Sequence, residues 1–200
     1  MNLRAPAILV AARPHGETAV IARVMTEQHG LVAGYVAGGR GRVLRPVVIP
    51  GNLVEVELRS KSDSQLPFMR LELLQSRGPW LTEPLAAAAI GWATALTAAV
   101  LPERNTYPAL HAALAALLDA VCNADAAREW LRALIAYEAL VLRDLGYGGM
   151  APPAEAGLEP LLELFVRQGP AIERYLLADR KADVMAARTM LADRLGRMTG

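Results

Sequence analysis

Residues 31–59 read LVAGYVAGGRGRVLRPVVIPGNLVEVELR, and the parsing of this stretch decides the fold. Residues 31–37 and 53–59 both have strand composition. The second run alternates as Val54-Glu55-Val56-Glu57-Leu58, the period-two pattern of a half-buried strand. Between and beside them Gly34, Gly38, Gly39 and Gly41 permit turns in which a side chain would clash. Arg40, Arg42 and Arg45 punctuate the connection, with no acid between Arg40 and Pro50. Guanidinium groups on a loop between strands suit a polyanion, because phosphate accepts their planar fork. The plainer alternative is a solvated basic loop.

Working outward, apolar or β-branched runs at 7–13 and 18–26 precede this stretch, and an alternating run at 68–74 follows it. Pro14-His15-Gly16 and Glu27-Gln28-His29-Gly30 supply the turns between the earlier runs. Five short strands in the first 77 residues predict a small closed β-barrel, for which the OB-fold is the leading choice. That fold binds ligands along strands two and three, between the one–two and four–five loops. It often carries a short helix between strands three and four, where residues 46–51 fall. Arg40, Arg42 and Arg45 are the first candidates for phosphate contact. Arg13 and His15 on the one–two loop and Lys61 on the four–five loop would flank the binding face. Arg23 on strand two could point to DNA or to solvent. Tyr35 on strand three could stack a base, or serve as a core or edge tyrosine. So few aromatics predict backbone-dominated, sequence-tolerant binding with strong salt dependence.

After Arg77-Gly78-Pro79 the pattern turns helical, so the expected organisation is α+β: an OB-fold over 1–78 and a helical domain over 79–200. Residues 85–101 form an uncharged, alanine-rich helix bracketed by Pro84 and Pro102. It falls short of the roughly 20 predominantly apolar residues of a membrane span, so a buried core helix is expected. A second helix begins near Thr106-Tyr107-Pro108, with Leu110, Leu114, Leu117, Leu118 and Val121 on one face. Asn123 is read as the cap of a third, which turns Trp130, Leu131, Leu134, Ile135, Ala139 and Leu142 inward and stops at Gly146. A short helix over 158–166 is expected to close at Gly169, with Pro170 opening another. A last helix over 183–198 offers Val184, Met185, Ala187, Met190 and Leu191 to a core.

Composition adds limits. The chain has 200 residues and a formal net charge of +1, with apolar residues at 54% and aromatics at 5%. Residues 1–80 hold ten Lys and Arg against six Asp and Glu, whereas residues 81–200 hold eleven against fourteen. The excess of positive charge therefore sits in the barrel half, as a polyanion-binding part would have it. Cys122 is the single cysteine, so no intramolecular disulfide can form, and it reads as a small buried hydrophobe. No signal peptide is read at the N-terminus, and a cytoplasmic, nucleoid-associated protein is expected. His15, His29 and His111 share no ligand spacing with one another or with Cys122. No P-loop, H-E-x-x-H or C-x-x-C occurs, so no cofactor or metal is expected. Glu138, within the third helix, reads as a buried hydrogen-bonding group and not as an acid catalyst. The clustered carboxylates of a metal-dependent nuclease are missing from the pattern.

The run AILVAARPHGETAVIARVMTEQHGLVAGYVAGGRGR, residues 7–42, resembles the N-terminus of RecO-type recombination mediators. The likeness lies in the Gly16-Glu17 pair, the Thr26 and Gly30 spacing, and the glycine–arginine loop at 38–45. Downstream, Leu101-Pro102-Glu103, Tyr107-Pro108 and YEALVLRDLGYG at 137–148 are similar to the family's helix-linking segment and long helix. The ordered set spans roughly residues 6–150. The resemblance implies an OB-fold, a helical C-terminal domain and a non-enzymatic role. It further implies binding of single- and double-stranded DNA, strand annealing, and loading of RecA onto SSB-coated DNA with RecR. Contact with the SSB C-terminal tail belongs to the same expectation, in a groove between helices. Many members carry a four-cysteine zinc module after the long helix; here that place reads Met150-Ala151-Pro152-Pro153. The runner-up reading is a protein-interaction adaptor whose barrel does not meet nucleic acid.

Overall fold

The computed structural model describes residues 2–60, 65–178 and 184–197. Five strands run as β1 (Asn2–His15), β2 (Ala19–Thr26), β3 (Gly30–Val36), β4 (Leu53–Arg59) and β5 (Phe68–Gln75). They close into a barrel in the order β1-β2-β3-β5-β4, with β4 returning to β1. All pairings are antiparallel except the short parallel one of β3 with β5, where Tyr35 stands opposite Phe68. The architecture is thus the expected α+β one.

Strand β4 shows why these residues fold this way. Val54, Val56 and Leu58 are fully buried and alternate with Glu55 and Glu57, which point outward. The core they enter also holds Leu9, Ala22, Val24, Val32, Val36 and Met69. It is almost wholly aliphatic, each fully buried side chain of this size contributing about 1.5–3 kcal/mol.

Strand β1 is longer than its apolar run at 7–13. Its first half pairs with β4 and its second half with β2, and the register shifts between Leu9 and Ala11. A bulge of this kind bends a strand, and here it lets one strand serve both neighbours. Arg4 and Pro6 disguise the first half in sequence; pairing with β4 overrides them. Between β3 and β4 the chain forms consecutive turns without a regular helix. The Arg45 and Val48 amides donate to the carbonyls of Gly41 and Leu44, both at 2.9 Å, and Gly38 takes a φ of +65°.

Five helices follow: α1 (Pro84–Val100), α2 (Pro108–Asn123), α3 (Ala127–Asp144), α4 (Leu158–Ile172) and α5 (Met185–Gly196). The chain divides into two compact units, one of residues 1–82 with 101–111, the other of 83–100 with 112–200. Residues 101–111 join the first unit through the β2–β3 turn. The Arg104 amide donates to the Leu31 carbonyl at 2.8 Å, and Arg23 pairs with Glu103 at 3.3 Å. Gly30 makes this approach possible, because a β-carbon there would lie 1.9 Å from the Asn105 carbonyl oxygen. Its φ of +64° also favours glycine. The Thr26 hydroxyl donates to the Gly30 carbonyl at 3.1 Å and accepts from the His29 amide at 3.0 Å. The Thr26 and Gly30 spacing therefore builds a turn and a packing site.

In the second unit α1 packs with α5, and α3 with α4. The uncharged α1 buries Ile90, Trp92, Leu96 and Val100. Its threonines are satisfied there, because the Thr94 and Thr97 hydroxyls donate to the Ile90 and Ala93 carbonyls. Every residue expected inward on α2 and α3 is buried. Three local expectations need correction. Asn123 ends α2, its side-chain amide donating to the Asp119 carbonyl at 2.8 Å, and the residue before α3 is Ala126. Gly169 and Pro170 neither close nor open a helix, because α4 runs through both into a π-type turn over Glu173–Leu177. Proline removes one amide and denies the Val166 carbonyl its helical partner; both residues are exposed, so water can serve that carbonyl. On α5, Met190 is exposed and Arg188 is buried in its place.

Candidate nucleic-acid interface

The outer face of the barrel carries a row of side chains across four strands. Arg13 stands opposite Ile21, Ile21 opposite Tyr35, and Tyr35 opposite Phe68, and directly paired residues project to the same face. His15 packs edge-on against the Tyr35 ring at 5.8 Å between centroids, and Tyr35 against Phe68 at 5.6 Å. Phe68 is 65% exposed. Sequence reading named His15 and Tyr35 but missed Phe68, whose place depends on which strand β5 pairs beside β3.

The three loop arginines do different things. Arg40 reaches across to the β1–β2 turn, its guanidinium donating to the Glu17 carbonyl at 3.1 Å while its amide donates to Thr18 at 2.9 Å. It pins the glycine–arginine loop beside that turn. Arg45 makes one long contact with the Arg40 carbonyl, at 3.4 Å, and stays exposed. Arg42 has no side-chain hydrogen bond or ion pair among the described residues and borders a cleft with Tyr35 and Phe68. Arg13, likewise without an ion pair among them, is exposed at the other end of the row. Arg23 lies on the outer face of β2, half-buried, with its charge directed to Glu103. Lys61 lies outside the described residues.

The neighbouring β4 face of the barrel, where Arg59 stands opposite Phe68, is self-neutralised. Arg4 pairs with Glu55 at 2.6 Å and Arg59 with Glu57 at 2.5 Å. The Arg59 hydrogen bond holds the Glu57 carboxyl below the usual carboxylate range. Glu55 and Glu57 are thus the wet side of a strand, as their alternation suggested.

The floor of the loop is held by a residue that no local pattern singles out. Asn52 is fully buried; its side-chain amide donates to the Pro46 and Val47 carbonyls at 3.0 and 3.1 Å. Its side-chain oxygen accepts from the Arg77 amide at 2.8 Å, and the Arg77 guanidinium donates to the Gly51 carbonyl at 2.6 Å. One asparagine thereby ties the end of the arginine loop to the chain leaving the barrel.

In the helical unit a groove of about 400 Å³ lies between α2 and α3, lined by alanines with Leu117, Tyr137 and Leu140 and with Arg143 at its border. The place of the zinc module holds no cysteine or histidine across residues 147–157, so the residues there do not fit a metal. Instead Arg132 of α3 donates to the Pro153 and Ala156 carbonyls at 2.9 and 3.0 Å. Gly149 lies so close to α3 that a β-carbon would fall 2.3 Å from the Ala139 carbonyl oxygen. Glu138 is wholly buried and accepts from Trp92, Gln168 and, through both oxygens, Arg188 at 2.7–2.9 Å. That role is structural. Cys122 is half-buried on α2. No helix among the described residues is long and apolar enough to cross a membrane.

Comparison with known proteins agrees with the fold of a barrel followed by helices. Residues 1–77 match the family model "Recombination protein O N terminal", and residues 81–149 match "Recombination protein O C terminal". A protein of Rhodospirillum centenum named DNA repair protein RecO is 33% identical over 94% of this chain and 92% of its own length. A protein of the same name from Sinorhizobium medicae is 41% identical over 71% of this chain and 56% of its own. Another from Phenylobacterium zucineum is 34% identical over 87% and 72%.

Proposed function

The chain belongs to the RecO family of DNA repair and recombination proteins, and on that footing we propose that it acts as a non-enzymatic mediator. In this reading it binds single- and double-stranded DNA, anneals complementary strands, and helps load RecA onto SSB-coated DNA together with RecR. The observation that carries it is the barrel face where Arg42 lines one cleft with Tyr35 and Phe68 and Arg13 ends the same cross-strand row, with Arg45 exposed on the loop, while the acids of β4 are neutralised by arginines. Cations that spend little on the protein itself are available to phosphates. Aromatic rings beside them accept any base, because every base has a π-face. Arg40 contributes by fixing the loop, Arg23 by bracing the turn. The SSB tail, a short apolar segment ending in a carboxylate, fits the α2–α3 groove with Arg143 at its border.

The test is anisotropy of a labelled single strand and of its duplex across a salt series, wild type beside Arg13→Ala/Arg42→Ala/Arg45→Ala. At ~0.7 per phosphate contact, three contacts make the single-strand log–log slope fall by up to about 2. Annealing of complementary oligonucleotides, with and without SSB, should slow in parallel. An unchanged slope would move the DNA site off this face, and a wild type that neither binds nor anneals would end the mediator reading. The apolar α2–α3 groove supports one second reading, an adaptor that recruits partners without touching DNA; saturable DNA binding by the wild type excludes it.

A further inference from the structure

Beside the arginine loop the barrel opens a cleft of about 710 Å³, within the ~300–1,000 Å³ range of sites that enclose small ligands. It is lined by Tyr35 of β3 and Phe68 of β5 and by Val43 and Leu44 of the loop, with Arg42 and Arg70 also lining it. Two of these wall residues are costly where they stand. Val43 is 83% exposed and Phe68 65% exposed, although both are apolar and face one cleft. The Tyr35 and Phe68 rings meet at 83°, so they form a corner in which a flat group stacked on one ring presents its edge to the other.

We infer that this cleft captures one unstacked nucleobase of a bound DNA strand, with Phe68 and Val43 as its jaws and Arg42 on the adjoining phosphate. The occupant follows from the chemistry. A planar π-face matches the aromatic corner, its polar edge can stay at the open mouth, and the phosphate carried on the same nucleotide meets the Arg42 guanidinium, which has no other ion pair among the described residues. Arg70 is a weaker partner, since its charge also acts on Glu57. A base inside a duplex is covered by its stacked neighbours and held by pairing, so it cannot enter unless it is first extruded. The cleft therefore selects single strands, while the arginines outside it serve both forms. This rests on the DNA-binding reading above and adds to it selection of single strands over duplex and a residue, Val43, that the reading itself does not need.

The experiment uses the full chain and three probes: a labelled single strand, the same strand with its central bases removed as abasic sites, and the duplex. Phe68→Ala should weaken single-strand binding by about 5- to 150-fold, the span of single base–aromatic contacts. Duplex binding should be unchanged. Val43→Ser should act in the same direction, and Arg42→Ala should weaken both. Wild type should bind the abasic strand more weakly than the intact one, and a 2-aminopurine placed in the strand should be quenched on binding to wild type but not to Phe68→Ala. Both wall side chains are exposed, so circular dichroism should report an unaltered fold. If Phe68→Ala and the abasic strand bind as the wild type and intact strand do, while Arg42→Ala still loses affinity, base capture is refuted and the DNA face stands. If wild type binds none of the probes, both readings fall together.

Discussion

Loss of Glu138 should cost this protein about 3–4 kcal/mol. The Glu138 carboxylate is fully buried and accepts hydrogen bonds from Trp92, Gln168 and twice from Arg188, itself only 4% exposed. Charge-assisted hydrogen bonds are worth ~1.5–3 kcal/mol each, so simple addition over four would overshoot. The relevant event is the abandonment of a buried guanidinium, for which removing one partner of a buried pair costs about 3–5 kcal/mol. Arg188 would keep some support, because it also donates to the Phe165 carbonyl at 2.5 Å and lies 3.9 Å above the Phe165 ring. That argues for the lower half of the range. With a urea m-value of ~2 kcal/mol/M, Glu138→Ala should lower the unfolding midpoint of the helical signal by about 1.5–2 M. Glu138→Leu/Arg188→Met, which removes both charges and keeps volume, should be more stable than either single variant, because neither charge is then left alone. A shift below ~0.5 M for Glu138→Ala, or a double variant worse than the sum of the singles, would refute this account of the network.

Two smaller predictions concern the barrel unit. Gly30→Ala should destabilise by roughly 2–3 kcal/mol, since it adds left-handed strain to a collision with Asn105, whereas Gly16→Ala, at a φ of +58° in open space, should cost only the strain of about 1 kcal/mol; equal denaturation midpoints for the two would remove the packing role of Gly30. His111 is half-buried, its Nε2 is enclosed without a hydrogen-bond partner among the described residues, and burial lowers its pKa while the Glu27 charge opposes this. The unfolded chain then binds the proton more readily, so stability should fall as pH drops below about 6.5 and this loss should shrink in His111→Gln; urea midpoints that stay level or rise on acidification would contradict it.

Much of this protein is written locally. The alternation at Val54–Leu58, the turn clusters at 14–16 and 27–30, and the leucine faces of α2 and α3 each depend on a few neighbouring residues, so the barrel-then-helices order was legible. The overall positive balance of the barrel half was legible for the same reason, being only a count. What remained hidden depends on partners distant in sequence. Pairing with β4 made a strand of residues that Arg4 and Pro6 disguise, and burial made Arg188 a core residue in place of Met190 because Glu138 waited fifty positions away. The same holds at the candidate site. Sequence could name a cluster of arginines, but only barrel closure decided that Arg40 is tied to the β1–β2 turn, that Arg42 is left to the cleft, and that Phe68 comes to stand beside Tyr35. A side chain's type is fixed by the chain, whereas its availability is fixed by what else has already claimed its hydrogen bonds and its surface.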